Sequence, residues 1–138
     1  MAKRQDKYPD TKTFTYHNQN PHNRITGDCV ARAISFALDL PYNKVIMDMA
    51  EFQCKTGFDA SYNEERFLET TYGIHKQASL RHDDNTRYTV KEFIERFPKG
   101  TYILRMPSHL TAVKDGKNYD IWDCTKSSNK VGNYWVIK

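Results

Sequence analysis

The sequence predicts an α+β fold in which N-terminal helices pack on a C-terminal antiparallel sheet. Three observations predict it. Apolar residues recur at helical spacing across residues 29–72. Short runs rich in β-branched and aromatic residues follow from residue 101. Asp115-Gly116, between two such runs, marks a tight hairpin. Helices first and strands afterwards is the α+β order, not the alternating α/β one.

Taken in chain order, residues 1–22 are polar and read as an arm leading into a single domain over residues 23–138. Within the arm, Thr11-Lys12-Thr13-Phe14-Thr15-Tyr16 alternates in the manner of a short edge strand. The first confident helix starts at Thr26-Gly27-Asp28-Cys29, with Thr26 or Asp28 as its N-cap. Val30, Ala33, Ile34, Ala37 and Leu38 give it one apolar face. Pro41 opens a second helix, where its fixed φ and missing N–H do no harm. Tyr42, Val45, Ile46, Met49 and Phe52 form the apolar stripe, and Gly57 ends it. Residues 63–72 predict a third helix carrying Phe67 and Leu68, stopped at Gly73. After an irregular stretch with a turn signal at Asp83-Asp84-Asn85, Thr89 and Glu92 make a capping box. A short helix then runs to Phe97, closed by Pro98 and Gly100. Strands are expected over residues 101–106, 109–113, 118–123 and 134–137, with a polar loop over residues 124–131.

The bulk composition narrows the function. The net charge is +4, from 21 basic and 17 acidic residues. The basic residues adjoin as a cluster only at Lys3-Arg4, soon diluted by Asp6 and Asp10, which counts against a nucleic-acid face. Mean hydropathy is −0.81, and no apolar stretch approaches the roughly 18–20 residues that cross a bilayer. Residues 1–25 contain no apolar run, so no secretory signal is expected. The three cysteines, Cys29, Cys54 and Cys124, are odd in number and irregular in spacing. Reduced thiols in the cytoplasm are the expectation. No Cys or His pair has zinc-ligand spacing. His17 and His22 sit in an Asn-rich segment without nearby cysteine or carboxylate partners. No metal and no cofactor is expected.

Four residues suggest chemistry. Cys29 falls in the first turn of a helix, where unpaired N–H groups and the positive end of the dipole favour thiolate. A small buried hydrophobe is the plainer reading of any lone cysteine. His109 opens a strand after Pro107-Ser108, placed to take the thiol proton and return it to a leaving group. Counting back from the Asp115-Gly116 turn sets residues 118–123 opposite 109–113, so Asp123 can orient the imidazole. Asp120 competes with it. Simple alternation puts Asp123 on the face of Tyr119 and Ile121, and Asp120 on the opposite face with Trp122. Asn23 offers a side-chain amide six residues before Cys29 as an oxyanion donor, with Gln19 and Asn20 as rivals. Asp28 and Trp122 are secondary candidates.

The order Asn23, Cys29, His109-Leu110-Thr111-Ala112-Val113, Asp123 resembles the papain-like cysteine peptidase superfamily. The Asp28-Cys29 pair is nearest in pattern to the leader-peptide-cleaving (bacteriocin-processing) peptidase domains of bacterial exporters. The resemblance covers residues 23–123. It implies a cysteine peptidase or isopeptidase with a Cys-His-Asp triad and a peptide or protein substrate. The chain departs from that pattern at two points. The usual donor is Gln where Asn23 stands, and the usual glycine after the nucleophile is Val30.

Two other classes compete. Transglutaminase-like or amidase-like acyl transfer uses the same side chains with a different acceptor. A non-catalytic binding protein on a papain-like scaffold, such as an anti-defence or regulatory protein of a mobile element, would use its 9 Tyr, 7 Phe and 2 Trp as contacts as well as core.

Overall fold

The computed structural model describes residues 3–138. Five α-helices and a five-stranded mixed sheet make up its regular structure: α1 Arg4–Lys7, β1 Phe14–Tyr16, α2 Cys29–Leu38, α3 Tyr42–Thr56, α4 Glu64–Tyr72, α5 Val90–Arg96, β2 Thr101–Met106, β3 His109–Lys114, β4 Lys117–Asp120 and β5 Tyr134–Val136. The expected α+β class holds. Single 3₁₀ turns sit at Ala60–Tyr62 and Cys124–Lys126.

The helix boundaries follow the local chemistry that predicted them. Asp28 precedes α2, Pro41 precedes α3, and Gly57 closes α3 in the left-handed region at φ 79°. Thr89 and Glu92 form the reciprocal capping box of α5. The stripe of α3 is narrower than expected. Val45 and Phe52 are buried, whereas Ile46 lies beside that stripe and faces outward.

Strand order across the sheet is β1-β4-β3-β2-β5. Neighbours are antiparallel except β1 and β4, which run parallel with Phe14 opposite Asn118 and Tyr16 opposite Asp120. The purely antiparallel expectation is therefore corrected: β1, from the segment read as an arm, runs parallel to β4. Phe14 is fully buried, His17 N–H donates to the Asp120 carbonyl, and Gln19 Nε2 donates to Ser35 Oγ. Most of the presumed arm is an edge strand and strap of the domain. Alternation identified the strand, but its polar composition carried no sign of which strand it would join or in which direction.

Strand alternation sorts the core into two layers. Ile103, Leu110, Ala112 and Trp135 pack with α2, α3 and α4. Tyr102, Leu104, Met106 and Val113 pack with α5, Cys124 and Val131. The helix α2 is covered nearly all round, burying Ala31, Arg32 and Ser35 as well as its apolar face. Burial on that scale forces Arg32 to find partners. Among the described residues, no helix is long and apolar enough to cross a membrane.

Candidate active site

Three elements meet at the site: the N-terminal turn of α2 and the ends of β3 and β4. Cys29 is the first residue of α2, half-buried, and lines the same cleft as His109 at the start of β3. His109 Nε2 lies 2.7 Å from Asp120 Oδ2, and its side chain is only 12% exposed. That engagement leaves Nδ1 as the nitrogen available to the thiol. Trp122, a secondary candidate from the sequence, packs its ring 5.0 Å from the His109 ring.

Asp120, not Asp123, is the carboxylate on the histidine. The register pairs Ala112 with Tyr119 and Val113 with Asn118, so Asp120 falls beside Thr111, on the face that His109 shares. The strand β4 then stops. Alternation cannot be carried on to residue 123, because the chain bends at Ile121 and Trp122 after leaving the strand. Asp123 caps the 3₁₀ turn that follows: its Oδ1 accepts from Thr125 N–H and Thr125 Oγ1, and its buried Oδ2 has no partner among the described residues.

Every lone pair direction of Asp120 is used. Oδ2 accepts from His109 and from Thr111 Oγ1 at 2.6 Å, while Oδ1 accepts from Arg32 Nη1 at 2.8 Å and from Ile121 N–H at 2.7 Å. Arg32 in turn donates through Nε to Asp28 Oδ1 at 2.8 Å, and Asp28 Oδ2 accepts from Tyr42 OH and Asn20 Nδ2. Behind Thr111, Asn118 Nδ2 donates to Thr111 Oγ1 at 2.8 Å, and Asn118 Oδ1 accepts from Cys124 N–H. A cation, a carboxylate and an amide on different elements thus fix the histidine's partner in place.

The electrostatics follow from this wiring. Burial alone would raise the Asp120 carboxyl, but the His109 hydrogen bond with the His109 and Arg32 charges pulls it down to about 2. Burial alone would lower the imidazole, but hydrogen bonds to Asp120 and Cys29, with their charges, lift it to about 9. Burial would raise the Cys29 thiol. The hydrogen bond to His109, a backbone hydrogen bond from Leu110 and the charges of His109 and Arg32 together bring it below its ordinary value. The arrangement favours a thiolate–imidazolium pair, with the α2 dipole adding to it.

Asn23 does not join this group. It is exposed in the left-handed region at φ 54°, its backbone N–H donates to Asn20 O, and it does not line the cleft around Cys29. Gln19 is committed to Ser35, and Asn20 to Asp28. The remaining donors for an oxyanion are the first-turn N–H groups of α2, which have no intrahelical partner. Asp28 sits at the N-cap position but makes no capping bond; its carboxylate serves Arg32 and Tyr42 instead.

The cleft that opens on Cys29 and His109 has a volume of about 520 Å³. Gly27, Val30, Tyr62, Glu64 and Ser108 contribute to its walls. His109, Asp120 and Cys124 place potential metal-ligand atoms within 4.8 Å of one another. Asp120 already accepts four hydrogen bonds, one from a guanidinium, and Cys124 beside it is held as a protonated thiol. With the Cys124 thiol itself donating toward Asp120 Oδ2 as a fifth partner, this chemistry suits a proton-bonded network better than a cation.

Sequence reasoning missed Arg32, Thr111 and Asn118. Arg32 carried one usable signal: a cation inside an otherwise apolar helical face, four residues after Asp28. Compared with known protein families, with curated proteins and with solved structures, the chain matches none.

Proposed function

We propose that the protein is a cysteine hydrolase of papain-like design, acting on a peptide or isopeptide bond. The observation that carries this reading is the placement of Cys29, at a helix N-terminus, on one cleft with His109, whose ring is held by the buried carboxylate of Asp120. The roles follow from it. Cys29 thiolate attacks the scissile carbonyl carbon, and the first-turn N–H groups of α2 stabilise the developing oxyanion. The imidazolium of His109 gives its Nδ1 proton to the leaving amine as the C–N bond breaks, leaving a thioester on Cys29. Neutral His109 then takes a proton from water, the hydroxide adds to the thioester, and the thiolate leaves with the carboxylic acid formed. Asp120 holds the ring and stabilises its charged form through both steps. The three cysteines are free, which suits a reducing compartment such as the cytoplasm.

The test has two readouts. At pH 6, iodoacetamide should alkylate Cys29 at least about tenfold faster than the exposed Cys54, since only a thiolate reacts. Equal rates would remove the activated nucleophile. Mass spectrometry of a peptide library should then show cleavage by the wild-type protein and none by Cys29→Ala. A labelled amine incorporated into product at low concentration would reassign the activity to acyl transfer.

A further inference from the structure

A second groove, of about 570 Å³, opens beside the cleft of Cys29 and His109. Its size is that of a ligand pocket. The two share Arg105, Met106 and Ser108, so they form one continuous depression across the end of β2 and the turn into β3. Arg87, Arg105 and Lys130 line the groove, and no carboxylate does. Arg87 and Lys130 are exposed and make no ion pair among the described residues. Arg105 reaches toward Glu64 at 3.4 Å on the cleft side, which anchors it at the junction. The three cations come from the segment before α5, from β2 and from the loop before β5.

We propose that this groove docks an acidic segment of a polypeptide substrate, flanking the bond presented to Cys29. This deepens the hydrolase reading and rests on it for the word substrate. Three features favour a polypeptide. The groove is continuous with a thiol site suited to acyl chemistry. Its walls supply amides from Asn129 and Asn133 for main-chain hydrogen bonds. No aromatic ring lines it, so it has no platform on which nucleic-acid bases could stack. Two unpaired cations, with a third shared with Glu64 at the junction, select for Asp and Glu side chains and against Lys and Arg.

The experiment reads binding in the Cys29→Ala protein, so turnover plays no part. Fluorescence polarisation is measured with two labelled pools of mixed octapeptides, one half Asp and Glu, the other half Lys and Arg, and with a labelled single-stranded DNA octamer. The acidic pool should bind at least about tenfold more tightly than the basic pool, and the preference should shrink as salt screens it. Combining Arg87→Glu with Lys130→Glu, both at exposed positions, should abolish that preference while circular dichroism stays unchanged. Equal binding of the two pools, tighter binding of the DNA, or a preference that survives the double charge reversal would each overturn the proposal. The two readings fail separately. Acidic peptides that bind a wild-type protein cleaving no peptide would leave the groove and remove the hydrolase. Cleavage without acidic preference would do the reverse.

Discussion

Cys29 and Cys124 stand beside opposite members of the His109–Asp120 pair, and their chemistry is opposite. Burial pushes both thiols up. Cys29 then meets the imidazole of His109, a backbone donor and the charge of Arg32, and ends below its ordinary value. Cys124 meets the negative charges of Asp120 and Asp123 and is pushed further up, only partly opposed by Thr111. Its Sγ lies 3.6 Å from Asp120 Oδ2 and donates toward it. The lesson is that burial raises both thiols, and the sign of the nearest charge decides whether that rise is reversed, as at Cys29, or reinforced, as at Cys124.

The contrast can be broken most severely at Arg32. It is 6% exposed and bridges Asp28 to Asp120. Arg32→Ala leaves two buried carboxylates short of their cation and should cost about 3–5 kcal/mol, read as a lower urea midpoint. Cys29 alkylation at pH 6 should slow in the fraction that remains folded. Unchanged stability would mean that the two carboxylates are solvated or protonated.

Exchanging the two candidate carboxylates gives a smaller and more selective effect. Asp120→Asn removes the charge that holds His109 protonated, so the imidazole should titrate lower and Cys29 should lose most of its advantage over Cys54 toward iodoacetamide. Asp123→Asn should leave that advantage intact and cost only about 1 kcal/mol through the weakened cap of its turn. The reverse pattern would restore Asp123 as the residue that orients the histidine.

The smallest effect lies in the pH dependence of stability. Asp120 is depressed to about 2 from 3.8, so its contribution is full above 3.8 and is lost as pH falls toward 2. His109 is raised to about 9 from 6.5, so alone it would lose stability as pH rises between those values. Cys29 is lowered from 9.0, which gains stability as pH rises toward 9.0. One group takes up the proton that the other gives up, so the two contributions oppose each other and flatten the slope below pH 9. Wild-type and Cys29→Ala urea midpoints between pH 6.5 and 9 should therefore diverge, the variant lacking the rising half. Parallel curves would mean that Cys29 is an ordinary thiol in the native protein.

Much of the molecule was legible from spacing alone. The starts of α2, α3 and α5, the stop at Gly57, the hairpin at Asp115-Gly116 and the placing of Cys29 and His109 all rest on interactions within a few residues. Such local terms act the same way wherever the chain goes afterwards. The third member of the site was not legible in that way. Asp120 and Asp123 are three residues apart, and the choice turned on where β4 leaves its ladder.

By itself, then, the sequence determined the helices, the hairpin and a thiol and an imidazole on suitable element ends. Only the tertiary structure decided that residues 14–16 join the sheet parallel to β4, that Arg32 rather than bulk solvent balances Asp120, and that Arg87, Arg105 and Lys130 share one groove. Those outcomes join residues far apart in the chain, and charges scattered along it carry no periodicity that marks where they will meet. The physical reason is the range of the forces. Capping and amphipathic spacing act over a few residues, whereas register and charge pairing are fixed only when distant segments pack.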